Sequence, residues 1–150
     1  MIIDTSAIVA ILRGEPGAEL HARMIATAGI ARISAATYVE LGIVVDGAHD
    51  AVASGALDSF LDQAGIRVES LTESQARIAR AAYQKFGRGS GHRARLNMGD
   101  CFSYALAREL GEPLLFAGSD FGQTDIEIVT EPIRRKRLSE IMASYRAGAP

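Results

Sequence analysis

Short apolar runs that end at, or are interrupted by, a single carboxylate are the strongest constraint on how this chain folds. Asp4 follows Met1-Ile2-Ile3, and Glu40 lies between Ala35-Ala36-Thr37-Tyr38-Val39 and Leu41-Gly42-Ile43-Val44-Val45. Asp100 opens Cys101-Phe102-Ser103-Tyr104-Ala105-Leu106, and Asp120 comes after Pro113-Leu114-Leu115-Phe116-Ala117. A carboxylate taken out of water costs several kcal/mol unless an opposite charge compensates it. No Lys or Arg is adjacent to any of the four in sequence. A fold that gathers them around a bound cation removes the difficulty. A metal-dependent active site is therefore the leading expectation.

The apolar runs alternate with longer segments of helical period, which argues for an α/β domain built on a parallel sheet. Met1–Ile3 reads as a first strand ending at Asp4, with the hydroxyls of Thr5-Ser6 capping a helix through Leu12. Gly14-Glu15-Pro16-Gly17 breaks that helix, and Ala18–Ala28 forms the next. Ile30–Ser34 is a short strand, and Ala36–Val45 a helix favoured by its length and alanines. Helical spacing recurs over Ala51–Ala64, and Ile66–Leu71 is strand-like. Thr72-Glu73 starts a helix through Phe86 whose apolar stripe is Ile78, Ala79, Ala82, Tyr83 and Phe86. Residues 87–96, with three glycines, three arginines and a histidine, read as an exposed, mobile loop. Asp100–Leu110 is a helix stopped by Gly111, followed by strands at Leu114–Ala117 and Ile126–Val129.

The length of 150 residues, 48% of them apolar, suits one domain with its own core, placed here at 1–132. Residues 133–150 form a basic tail in which Leu138, Ile141, Met142 and Tyr145 recur at helical spacing. The first 132 residues carry 11 basic and 17 acidic side chains, whereas the tail carries 5 and 1. A second basic cluster, Lys85, Arg88, Arg93 and Arg95 with His92, interrupts the acidic body. No apolar run approaches the roughly 20 residues of a membrane helix, and nothing at the amino terminus reads as a secretion signal. A cytoplasmic domain with no membrane partner is expected. The single cysteine, Cys101, excludes an internal disulfide and a cysteine-rich zinc site, and reads as a small buried hydrophobe.

Ligands of open parallel sheets gather outside the carboxyl ends of the strands, where Asp4 and Asp120 fall. Asp100 at the start of a helix and Glu40 within one can reach the same edge. His21, His49 and His92 show no metal-ligand spacing, so ligation is through oxygen. That selects a hard cation, Mg²⁺ with Mn²⁺ as substitute, over zinc. An acidic cleft holding such a cation suits phosphodiester hydrolysis, because the cation polarises the phosphate and acidifies an attacking water. The basic cluster of Lys85, Arg88, Arg93 and Arg95 is then placed to hold a nucleic-acid backbone. Individually, Asp4, Asp100 and Asp120 also read as strand-end, cap and turn residues, and Asp125 and Glu127 as surface charges. The conjunction carries the inference.

The ordered set of motifs resembles the PIN-domain ribonucleases and, among them, the VapC toxins of bacterial toxin–antitoxin pairs. The matching pieces are Ile2-Ile3-Asp4-Thr5-Ser6-Ala7, Tyr38-Val39-Glu40, Asn97 through Ala107, and Pro113 through Phe121 with Thr124-Asp125-Ile126, across about 1–130. The resemblance implies a central parallel sheet flanked by helices and Mg²⁺- or Mn²⁺-dependent cleavage of RNA, with transfer or ribosomal RNA as substrate. It also implies a homodimer and inhibition by a cognate VapB-like antitoxin. Asp4, Glu40 and Asp100 match the family's three acidic positions, with Asp4 and Asp100 as direct metal ligands, and Ser6 matches the residue orienting the first aspartate. Asp120 is the match for a fourth acid. Many relatives carry an acid two positions earlier, where this chain has Gly118.

Two other classes compete with this reading. A PIN-like module that binds RNA or protein without cleaving is opposed by the intact acids. A phosphatase of the haloacid-dehalogenase kind calls for Asp-x-Asp at the first strand, where this chain has Asp4-Thr5-Ser6.

Overall fold

Ile2 and Ile3 are both fully buried, yet they belong to two different cores. Successive residues of a strand point to opposite faces of a sheet, so a strand covered on both sides is apolar at every position. A computed structural model describes residues 1–47 and 51–130, and it places this strand, β1 (Ile2–Ile3), inside a four-stranded parallel sheet. The sheet order is β3 (Ile66–Glu69), β2 (Ala31–Ser34), β1, β4 (Leu114–Leu115). Arg32 is in register with Ile2, which is in turn in register with Leu114.

Helices cover both faces. Ala7 and Ile8 of α1 (Thr5–Arg13), Ile25 of α2 (Ala18–Thr27), Leu41 and Val45 of α3 (Ala35–Asp46), and Leu57 and Leu61 of α4 (Ala51–Gln63) pack with Ile3, Ile33 and Leu115. On the other face, Ala79, Ala82 and Phe86 of α5 (Glu73–Phe86) and Tyr104 to Ala107 of α6 (Met98–Leu110) pack with Ile2 and Leu114. The central parallel sheet flanked by helices is thus as the sequence led one to expect. The chain winds outward from β1 through β2 to β3, then returns to the other side of β1 for β4. That reversal puts the switch point of the sheet between β1 and β4, and such sheets bind ligands beyond the carboxyl ends of the strands there.

Several local expectations need correction. The cap of α1 is Asp4, not Thr5 or Ser6: its side chain accepts from the Ser6 N–H, which frees both hydroxyls for other contacts. On α5, Ala79, Ala82 and Phe86 are buried but Tyr83 is 44% exposed, so the buried stripe is narrower than the apolar pattern of the sequence. The segment 126–129 is not a full strand. It pairs with the sheet at one bridge, Leu114 with Ile128, through bonds from Leu114 N to Glu127 O and from Val129 N to Leu114 O, each 2.9 Å.

The loop of residues 87–96 is pinned, not loose. Arg88 N donates to Leu96 O and Leu96 N to Phe86 O, each at 2.9 Å, and the His92 ring stands edge-on to Phe86. Ala94 and Leu96 are fully buried, so the loop's few apolar residues act as anchors between exposed basic ones. Among the described residues no helix is long and apolar enough to cross a membrane. His49, the boundary at 132 and the amphipathic basic tail lie outside the described residues.

Candidate active site

Strand, cap and turn cooperate to fix Asp4. Its N–H donates to Leu115 O of β4 at 2.9 Å, continuing the ladder past the end of β1. Its side chain is buried, and Oδ2 accepts from the Ser6 N–H at 2.9 Å and from the Ser6 hydroxyl at 2.6 Å. Ser6 Oγ accepts in turn from the Ala117 N–H at 3.0 Å, in the turn that follows β4. A relay therefore runs from the β4 turn through Ser6 to one oxygen of Asp4. The other oxygen, Oδ1, is buried without a hydrogen-bond partner. A buried ionised oxygen with no donor is costly, and a cation is the partner that its chemistry invites.

Glu40 projects from α3 toward the same place. Oε2 accepts from the Thr5 hydroxyl at 2.7 Å, and the carboxylate lies over Gly99, in the first turn of α6. Thr5 and Ser6, adjacent on α1, thus each hold one carboxylate. Two residues that sequence reasoning did not assign, Thr5 and Gly99, fix the position of Glu40. The hydroxyl beside Asp4 was a readable signal for the first; nothing in the sequence alone marks the second.

Asp100 is the third residue of α6. Asn97 is the helix cap, and the two form a reciprocal capping box: Asp100 N donates to Asn97 Oδ1 at 2.9 Å and Asn97 N to Asp100 Oδ2 at 2.6 Å. Asp100 is thus not a plain cap but the partner of one. Asn three residues ahead of an acid is a legible cap pattern. Burial pushes the Asp100 carboxyl up to about 6, against the lowering effect of the Asn97 N–H, and the charges of Asp4, Asp120 and Glu40 raise it further. The Thr5 bond to Glu40 and the contact of Glu40 with Gly99 bring Asp4, Glu40 and Asp100 to the same edge of the sheet. Asp120 is exposed, at the start of a 3-10 turn (Phe121–Gln123), and its side chain makes no cap bond.

The donor set fits a hard divalent cation by chemistry: oxygen atoms alone, one of them orphaned, around a centre with excess negative charge. Among the described residues no group of three or more His, Cys, Asp or Glu side chains is arranged as a metal cage. Two carboxylate ligands, with water completing the shell, match the way Mg²⁺ is commonly bound. Asp4 and Asp100 are the pair expected from sequence.

The basic residues lie on and beside the pinned loop, whose last residue, Leu96, immediately precedes the Asn97 cap of α6. Arg88, Arg93 and Arg95 are exposed, and Arg95 adopts a left-handed backbone with φ of 52°. Lys85 forms an ion pair with Asp125 at 3.0 Å. Asp125 also accepts from the Tyr104 hydroxyl at 2.6 Å, so this residue, taken from sequence as a surface charge, ties the segment after β4 to α6. Cys101 is buried, and burial pushes its thiol up to about 11, which leaves it inert as a nucleophile.

The arrangement has close parallels. The PIN domain family model matches residues 1–127. Ribonuclease VapC28 of Mycobacterium tuberculosis is 57% identical over 127 residues, covering 85% of this chain and 96% of that protein. Ribonuclease VapC42 of the same organism is 51% identical over 126 residues, covering 84% and 96%. Among solved structures, VapC20 of M. tuberculosis, a toxin that cleaves the sarcin–ricin loop, superposes with a TM-score of 0.67 at 20% identity over 85% of this chain and 97% of that one. A toxin–antitoxin complex from Klebsiella pneumoniae gives 0.65 at 18% identity, covering 86% and 95%. With its acids gathered at the switch point of a parallel sheet and its sequence matched along nearly the whole described length, the chain belongs to the PIN-domain family and, within it, to the VapC ribonucleases.

Proposed function

We propose that this protein is the toxin of a VapBC-type pair, an endoribonuclease that hydrolyses RNA at the Asp4, Glu40, Asp100 and Asp120 cleft with Mg²⁺, or Mn²⁺ in its place. The observation that carries the reading is the orphaned, buried Oδ1 of Asp4 beside an Asp100 burdened by three other carboxylates. A cation held by Asp4 and Asp100 would neutralise charge at the phosphate and make an attacking water more acidic. The protein's own part is geometric and electrostatic. Ser6 fixes Asp4 by one oxygen and leaves the other available; Thr5 holds Glu40 where it can accept a proton from water. Attack by water oxygen on phosphorus, with departure of the 3′ oxygen as a hydroxyl, leaves a 5′-phosphate on the downstream product.

Arg88, Arg93 and Arg95 hold the RNA backbone outside the acidic centre in this scheme, because a cleft of carboxylates repels phosphate wherever no cation intervenes. The solved neighbours include toxin–antitoxin complexes, which supports a VapB-like antitoxin as partner; a homodimeric toxin is part of the same proposal.

The deciding experiment treats total cellular RNA with wild type and Asp4→Asn, in Mg²⁺, Mn²⁺ or EDTA, and maps product ends. Discrete 5′-phosphate products that vanish with EDTA and in the mutant are expected, and they identify the RNA. Products ending in a 2′,3′-cyclic phosphate would overturn the mechanism. RNA bound but never cut would make the protein a binding module.

A further inference from the structure

The first turn of α6 contains a glycine that its own backbone does not require. Gly99 is buried at the second helical position, and it is not among the residues with left-handed φ. Alanine is the better helix former there. Space explains the glycine instead. A Cβ on Gly99 would overlap Oε1 and Cδ of Glu40 and lie 2.5 Å from its Oε2. The carboxylate of Glu40 therefore rests against the bare Cα at a helix amino end, where free N–H groups favour negative charge. From its other side the Thr5 hydroxyl donates to Oε2 at 2.7 Å.

We propose that Gly99 is a positioning residue: its missing side chain and the Thr5 hydroxyl form a seat that holds the Glu40 carboxylate beside Asp100, and this seat sets the turnover rate. The inference rests on the nuclease reading above and assigns a residue of that site. The atoms a Cβ would strike are the far end of a flexible side chain, not backbone. The fold can therefore absorb alanine by swinging Glu40 aside, and the loss appears in where the carboxylate is, not in whether the protein folds. Thr5 loses its acceptor in the same movement.

The test is a double-mutant cycle of wild type, Gly99→Ala, Glu40→Ala and the double variant. Gly99→Ala should lower kcat on the order of a hundredfold, the scale of a misplaced reacting group, with KM for RNA unchanged. Added to Glu40→Ala, it should remove nothing from the residual activity. Melting temperatures in EDTA give a readout free of metal and turnover. There Gly99→Ala should raise the melting temperature more in the Glu40→Ala background, where its helix preference acts without the clash, than in wild type. Failure to fold only in the wild-type background would show the same coupling in stronger form. Full kcat in Gly99→Ala, additive losses of activity, equal melting shifts in both backgrounds, or misfolding in both would each overturn the proposal. If wild type cuts no RNA, the nuclease reading fails by itself, and the melting arm still decides whether Gly99 seats Glu40.

Discussion

Carboxylates on the two sides of the sheet are treated in opposite ways. Ahead of β1 and β4, the Met1 amine bonds Glu112, and Arg32 of β2 reaches Glu112 at 3.1 Å as well as Glu69, the last residue of β3, at 3.0 Å. Glu112 and Glu69 thus each have a cation of the protein's own. Beyond the carboxyl ends of β1 and β4, Asp4 and Glu40 are held, among the described residues, by neutral hydroxyls and an N–H alone, and Asp100 by a backbone N–H. One protein therefore contains both a charge-matched cluster and a mismatched one. Satisfaction of charge is the ordinary condition of a fold, so the mismatch is where function is expected.

The most severe way to probe this difference is to neutralise the mismatched side. Asp4→Asn should abolish RNA cleavage, a loss on the order of a thousandfold or more, with RNA binding retained. Ser6→Ala should cost less, roughly 10–100-fold, the scale for removing a group that orients a ligand. Titrating Mg²⁺ distinguishes the two: added ion should recover part of the Ser6→Ala activity and none of Asp4→Asn. Equal, complete loss in both would mean that Ser6 supports the turn after β4 as much as it supports Asp4.

Next in size is an effect of opposite sign on stability. The Asp100 carboxyl is raised to about 6 in the fold from an ordinary 3.8. Between those pH values the unfolded chain has released a proton that the folded chain still binds, so metal-free stability falls as pH rises through that window. Asp100→Asn removes the penalty while keeping an oxygen for the Asn97 N–H. In EDTA at pH 7 it should be more stable than wild type, by on the order of 2 kcal/mol, with the difference shrinking toward pH 4. Denaturant midpoints at the two pH values check this. A variant less stable than wild type at pH 7 would mean that the mismatched cluster is not strained without its cation.

The matched cluster should answer in the other way. Glu112→Gln leaves Arg32 with a weaker partner and the Met1 amine without its counter-charge, so stability should fall by about 1–2 kcal/mol. Turnover per folded molecule should not change, because Glu112 precedes β4 whereas the acidic cleft follows it. A drop in kcat with unchanged stability would break the division between the two sides.

Which of these features the sequence revealed depends on how local their causes are. The strands were visible because residues such as Ile2 and Ile3 are apolar on consecutive positions, the signature of burial on both faces. The four acids were visible because each contradicts its own surroundings. The capping of α1 was misassigned because three consecutive residues, Asp4, Thr5 and Ser6, can all cap a helix. Tertiary partners choose among them: Glu40 takes the Thr5 hydroxyl, and Ala117 engages that of Ser6. The loop at 87–96 was misread for a related reason. Glycine and arginine dominate its composition, yet its anchoring comes from Ala94 and Leu96 inserting into a core built largely by α5 and α6. Gly99 carries no local signal, since its neighbour Glu40 is distant in sequence.

The smallest effect separates paired from unpaired cations near the cleft. Lys85 is held by Asp125, whereas Arg93 is simply exposed on the loop. An exposed ion pair of this kind contributes at most about 1 kcal/mol, so Lys85→Ala should scarcely move the melting temperature. Its value here is as a control for RNA binding. Removing one cation that neutralises a phosphate of single-stranded RNA should reduce the slope of log affinity against log salt by about 0.7. Arg93→Ala should show that reduction. Lys85→Ala should show less, because RNA must first displace Asp125, and Asp125→Asn should then increase the contribution of Lys85. Equal slopes for the Lys85 and Arg93 variants would mean that the Asp125 pair imposes no cost on RNA, and that the loop acts through its total charge and not through particular free cations.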